Sequence, residues 1–188
     1  MKPAGFDPLR ALRTLTRRRV RFVVIGGIAG RLHGSSAVTN DLDICYARDP
    51  ENLERLAAAL VEMDARLRDT PEDLPFKPDA KTLKAGANFT FTTSAGGLDC
   101  MASPAGSRGF DELDATAVEM DLGGLVIRVA AIEDLIRLKR AAGRPKDLIE
   151  VEVLGALEEE TEATPGMHGR EPPQAPPRAR AGRKRREA

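Results

Sequence analysis

The chain has 188 residues, 29 Lys+Arg against 29 Asp+Glu, and is 41% hydrophobic and 31% charged, enough for one globular domain with a sizeable core and a tail. No apolar run approaches the ~20 residues a membrane helix needs, and the N-terminus lacks the apolar stretch of a signal peptide, so a membrane protein is not expected. Two cysteines, Cys45 and Cys100, sit in no metal-ligand spacing and cannot make a disulfide framework, which argues against a zinc module or secreted scaffold and for a cytoplasmic protein.

Asp7 before Pro8 predicts a helix start, with Leu9, Leu12 and Leu15 at helical spacing and Arg17, Arg18 and Arg19 where the C-terminal end favours positive charge. Residues 21–25 (RFVVI) form a short β-branched run, read as a buried strand that ends at Gly26–Gly27. A short helix over 28–33 and a breaker at Gly34 follow. Residues 41–46 (DLDICY) then alternate polar and apolar as a half-buried strand does. The clearest helix is 50–67, whose Leu53, Leu56, Ala57, Leu60 and Met63 make one apolar stripe.

A proline-rich connection (Pro71, Pro75, Pro78) leads to two strands, 87–92 and 97–101. One helical turn is expected over 111–116. Gly123–Gly124 between 118–122 and 125–129 signals a hairpin, and 132–142 and 145–157 read as two helices broken by Gly143. The expected domain is 1–158. Residues 159–188 lose all apolar period and carry five prolines with seven basic and five acidic residues, which reads as a disordered tail. That tail is either an electrostatic hand for RNA or a solvated end with no partner. With seven aromatics and no Trp, the chain has little material for a base-stacking platform.

Asp41 and Asp43 stand two apart on one strand, so both carboxylates leave the same face. Asp99 repeats the arrangement between Leu98 and Cys100, and three carboxylates converge if the two strands are neighbours. Like charges so placed repel unless a cation neutralises them, and oxygen-only ligands suit Mg²⁺ or Mn²⁺. A pair of such ions is one way enzymes clamp a phosphoryl transfer. Upstream, Gly26 and Gly27 end a strand before a helix, where backbone N–H groups can approach a phosphate. The pair is not a dinucleotide fingerprint, because Ile28 takes the third position of GxG, and no GxxxxGK[ST] loop exists. Taken singly, a DxD is most often a solvated edge and a Gly-Gly a turn; their joint order is what points to chemistry.

That order resembles the nucleotidyltransferase superfamily with the DNA polymerase β-like fold: strand, glycine pair, short helix, DxD strand, long helix, and a later strand with one more Asp. The glycine pair and DxD lie in VVIGGIAGRLHGSSAVTNDLDIC, with 13 residues between Gly27 and Asp41, and GLDCM follows. Small bacterial single-domain members related to AbiEii-like abortive-infection toxins are the most similar. Their T-x-D-L-D run is matched by Thr39 to Asp43, and their K-x-A-x-G-R-x-K-D helix pair by Lys139 to Asp147. The resemblance covers about residues 20 to 157. One departure is Ala37, where relatives often carry Arg; another is Cys100–Met101 in place of an aliphatic pair.

The resemblance implies an α+β fold: a mixed sheet with helices packed on one face and a C-terminal helix pair. It implies Asp41, Asp43 and Asp99 as metal ligands and catalytic acids for Mg²⁺ or Mn²⁺. Gly26, Gly27, Lys139 and Lys146 would bind the nucleotide. The activity implied is transfer of a nucleoside monophosphate from an NTP to a hydroxyl. The acceptor is a tRNA end, a protein or a small molecule such as an aminoglycoside, with RNA or protein favoured, and a toxin–antitoxin or phage-defence setting with a cognate partner. Two rivals remain. One is a catalytically silent, antitoxin-like binding module of the same fold, against which the intact DxD argues. The other is a nucleic-acid binder acting through its tail. Cys45 is read as a small buried filler, Cys100 as a core residue on the opposite face, His33 as structural, and Thr39 as a local backbone bond fixing the approach to the DxD strand.

Overall fold

A computed structural model of the chain describes residues 5–70 and 76–163; Pro71, Pro75 and the tail from residue 164 lie outside the described residues. Helix α1 (Pro8–Arg17) opens on the Asp7 side chain, which accepts from the Arg10 amide, and Pro8 fits the first turn because it has no N–H to satisfy. Strand β1 (Phe22–Ile25) is buried along its whole length, as its β-branched run predicts. Helix α2 (Gly26–Leu32) starts at Gly26, so both glycines belong to its first turn instead of preceding it. Strand β2 (Asp41–Tyr46) follows, then α3 (Pro50–Glu62), capped by Asp49.

The helix expected to reach residue 67 ends at Glu62. Asp64 turns left-handed at φ 51°, and the Ala65 amide closes onto the Leu60 carbonyl. The released chain forms β3 (Arg66–Leu67), which pairs with Thr92 and Phe91 of the later strand Asn88–Thr93. Met63 and Leu67 keep helical spacing, so sequence period cannot register this stop; the strand pairing overrides it. Helix α4 (Ala80–Ala85), capped by Asp79, lies in the stretch read as a connection. Strands β4 (Asn88–Thr93) and β5 (Gly96–Met101), helix α5 (Phe110–Thr116) and the hairpin β6 (Val118–Asp121) and β7 (Val126–Val129) match the expected order. Helices α6 (Ile132–Ala142) and α7 (Pro145–Ala163) form the C-terminal pair, separated by Gly143 at φ 65°. Helix α7 continues past the boundary expected at residue 158.

The seven strands form one mixed sheet in the order β3-β4-β5-β2-β1-β7-β6. Strands β1 and β2 are antiparallel, whereas β5 runs parallel to β2 and β7 parallel to β1. The β2–β5 register sets Leu42 beside Leu98 and Ile44 beside Cys100, all fully buried on one face, while Asp41, Asp43 and Asp99 leave the other. The core also takes Leu12 and Leu15 of α1 and Leu53, Leu56 and Leu60 of α3. Burial of such side chains stabilises by roughly 1.5–3 kcal/mol each. Both cysteines are buried and free; Cys45 shares the parity of the aspartates and Cys100 that of the core. His33 Nε2 donates to the Ala130 carbonyl at 2.8 Å, a bond that ties α2 to the end of β7 and supports its structural reading. No helix among the described residues is long and apolar enough to cross a membrane.

Candidate active site

A cavity of about 710 Å³ opens where β2, β5, α2, α6 and α7 meet, and Asp41, Asp43, Asp99, Gly26, Gly27, Lys139 and Lys146 all line it. Parallel pairing puts Asp43 directly beside Asp99 and Asp41 beside Gly97. Asp43 is the most perturbed carboxyl of the three, pushed up to about 7. Burial is the main cause, with repulsion from Asp41 and Asp99 adding to it and the Gly27 amide and Lys139 opposing it. Asp99 is also raised, first by burial; Arg68 counters this and Asp41 reinforces it.

The glycine turn is shaped around these acids. Gly26 has φ +66°, and a Cβ there would stand 2.1 Å from Asp43 Oδ2. A Cβ on Gly27 would meet Thr39 Cβ at 2.7 Å. Thr39 does bond to the Asp41 backbone carbonyl, at 3.2 Å as expected, and its Oγ1 also reaches Asp41 Oδ1 at 2.9 Å. The hydroxyl therefore orients a carboxylate as well as the chain.

Arg68, which no sequence signal marks, lies among the acids. Its Nη2 stands 3.0 Å from Asp99 Oδ1 and 3.1 Å from the Phe91 carbonyl, and its Nη1 lies 3.9 Å from Asp41 Oδ2. Among the described residues, no three Asp, Glu, His or Cys side chains are gathered so as to hold one ion. With Asp99 turned to Arg68, Asp41 and Asp43 face the cavity, and among the described residues neither makes an ion pair shorter than the 3.9 Å contact of Asp41 with Arg68. The donor set fits a hard divalent cation: oxygen-only, like-charged and electrostatically short of positive charge at Asp43.

The basic residues of the C-terminal pair divide by environment. Lys139, only 8% exposed, places its Nζ 2.5 Å from Glu150 Oε2 and 3.7 Å from Asp147 Oδ1. Its ammonium thus bolts α6 to α7. Asp147 is buried and binds Arg144 at 2.5 Å, so it is no surface partner of Lys146. Burial would raise the Asp147 carboxyl, but the bond and charge of Arg144, with Lys139 and Lys146 nearby, hold it below the usual range. Lys146 is exposed at the cavity rim, and Arg144 keeps 62% of its side chain exposed there. Val38, Ile149 and Val153 give the mouth an apolar edge.

Neither the protein-family models nor the curated proteins contain a match to this chain. Among solved structures, the lincosamide antibiotic adenylyltransferase LnuA, bound to lincomycin, superposes with a TM-score of 0.54 at 15% identity, covering 80% of this chain and 95% of that one. Two structures of ANT(2'')-Ia also match. One is a solution structure of this antibiotic-resistance factor (TM-score 0.47, 19% identity, 83% of this chain and 91% of that one). The other is its complex with adenylyl-2''-tobramycin (TM-score 0.48, 18% identity, 83% and 95%). At these identities the likeness is one of fold, and the chain has the mixed α/β fold that LnuA has.

Proposed function

We propose that this chain is a metal-dependent nucleotidyltransferase that moves a nucleoside monophosphate from an NTP to an acceptor hydroxyl, releasing pyrophosphate. The observation that carries the reading is the juxtaposition of Asp41, Asp43 and Asp99 on one sheet face, across from a glycine turn that has no room for side chains.

In this reading Asp41 and Asp43 hold Mg²⁺ or Mn²⁺, whose positive charge would offset charge on the phosphoryl oxygens during transfer. Gly26 and Gly27 let the backbone come close to the triphosphate, and the first turn of α2 supplies N–H groups there. Lys146, exposed at the rim, is placed to meet phosphate oxygens, and Arg144 beside it stays largely exposed while bound to Asp147. Lys139 acts at one remove, by keeping α6 and α7 together beneath them. Asp99 sits next to the pair, where it can accept the proton of an incoming hydroxyl, and positioning accounts for much of the rate.

The acceptor favoured by the family resemblance is an RNA or protein hydroxyl in a toxin–antitoxin or phage-defence setting, with a cognate partner. LnuA holds a small molecule instead. The test is to incubate the protein with Mg²⁺ or Mn²⁺, each of the four α-³²P-labelled NTPs, and tRNA, cell lysate or an antibiotic panel, beside Asp41→Ala/Asp43→Ala. Label transferred by wild type alone supports the reading and names the acceptor. No transfer together with no metal-dependent NTP binding would sink it in favour of the silent binding module.

A further inference from the structure

We propose that Arg68 is a resident counter-cation of the carboxylate site, competing with a divalent ion for Asp41 while holding Asp99 in place. The inference rests on the metal-binding part of the function proposed above, and on a niche built for this guanidinium. The Arg68 amide donates to the Thr90 carbonyl at 2.9 Å, which fixes the backbone just beyond β3. From there the side chain runs across Gly97, the residue in register with Asp41. A Cβ on Gly97 would stand 2.7 Å from Arg68 Nη2 and 3.1 Å from Asp41 Cβ, so the missing side chain leaves the space that the guanidinium and Asp41 share.

Its contacts are unequal. Nη2 holds Asp99 at 3.0 Å and the Phe91 carbonyl at 3.1 Å, whereas Nη1 is 3.9 Å from Asp41. The Asp41 contact is the weakest and yields first when a divalent ion arrives. The two shorter contacts keep Asp99 anchored, which makes Arg68 a positioning residue for the third acid. A cation this close to Asp41 also repels an incoming one, so displacement and repulsion act with the same sign.

The experiment is Mn²⁺ titration of nucleotide-free protein at pH 8, followed by electron paramagnetic resonance, with thermal unfolding run alongside. Arg68→Ala is expected to bind Mn²⁺ roughly five-fold more tightly or better, the effect of one unit charge about 4 Å away in a water-like dielectric. Without Mn²⁺ it should melt below wild type, and added Mn²⁺ should raise its Tm more than it raises that of wild type. Arg68→Gln removes the charge but keeps a polar side chain in the niche, and should shift affinity in the same direction, so the test survives a poorly folding Arg68→Ala. Arg68→Lys should fall between. Equal or weaker Mn²⁺ binding by folded Arg68→Ala or Arg68→Gln overturns the proposal. Binding by none of the proteins overturns it together with the metal-dependent reading. Tighter binding without nucleotidyl transfer upholds it while the proposed activity falls.

Discussion

Gly26 and Asp43 are fitted to each other so closely that a single methyl group on Gly26 would fall 2.1 Å from the carboxylate oxygen. The left-handed backbone of Gly26 adds strain for any other residue, of roughly 1–3 kcal/mol. Gly26→Ala should therefore lower stability and weaken Mn²⁺ binding at least ten-fold, because Asp43 must move. Gly27→Ala, without a left-handed φ and opposed by Thr39 instead, should cost less. Wild-type Mn²⁺ affinity in a folded Gly26→Ala protein would contradict the close fit.

The raised Asp43 carboxyl predicts a pH signature in ion-free protein. Its folded value, about 7, lies above the unfolded value near 3.8, so the folded state holds the proton more tightly between the two. Stability contributed by this group is full below about pH 4 and is lost as pH rises toward 7. Asp43→Asn removes that loss: its advantage over wild type should grow from about pH 4 to about pH 7 and reach roughly 2–4 kcal/mol. Urea melts at closely spaced pH values measure it, and a constant difference between the two proteins would refute the assignment.

Lys139 and Lys146 look equivalent in sequence and should behave oppositely. Lys139→Met leaves Glu150 and Asp147 without their buried cation and should cost about 3–5 kcal/mol. Lys139→Met/Glu150→Gln should recover a large part of that loss. Lys146→Ala, at an exposed position, should change stability by less than about 0.5 kcal/mol while weakening NTP binding. Chemical denaturation paired with calorimetric NTP titration separates the two roles; a fully stable Lys139→Met would remove the bolt.

Burial pushes the Cys45 thiol up to about 12, with Asp111 adding to the effect, and burial pushes Cys100 higher still. Neither is a nucleophile under neutral conditions. Both should resist an aromatic disulfide reagent in native protein at pH 8 and react fully in denaturant. Fast labelling of either native thiol would show that the sheet opens around it.

The parts legible in sequence are those that local pattern controls. Alternation put Asp41 and Asp43 on one face, Gly123–Gly124 announced the hairpin, the Asp7–Pro8 pair started α1, and an apolar stripe marked α3. Asp99 was legible by parity, and its side-by-side position with Asp43 needed only the assumption that their strands are neighbours. Arg68 was hidden because its placement depends on an edge strand of two residues inside a stretch with helical spacing. The confinement of Lys139 was hidden for a related reason: a motif names residue types, while the partners that neutralise Lys139 arrive from the next helix by packing. Helix α4 escaped because its six residues are too few to establish a period.

The sheet ends at β3 after two residues and at β6 after four, with Arg66 at one margin and Glu119 and Asp121 at the other. An edge of unpaired N–H and C=O groups is a template for foreign strands, and these two margins are short and charged, which blunts that hazard. At the β3 margin brevity has a second effect, since the chain leaves the ladder in time for the next residue to turn its guanidinium inward. The device that protects the molecule from crystallising into fibres of itself is thereby the one that delivers a positive charge to its acids.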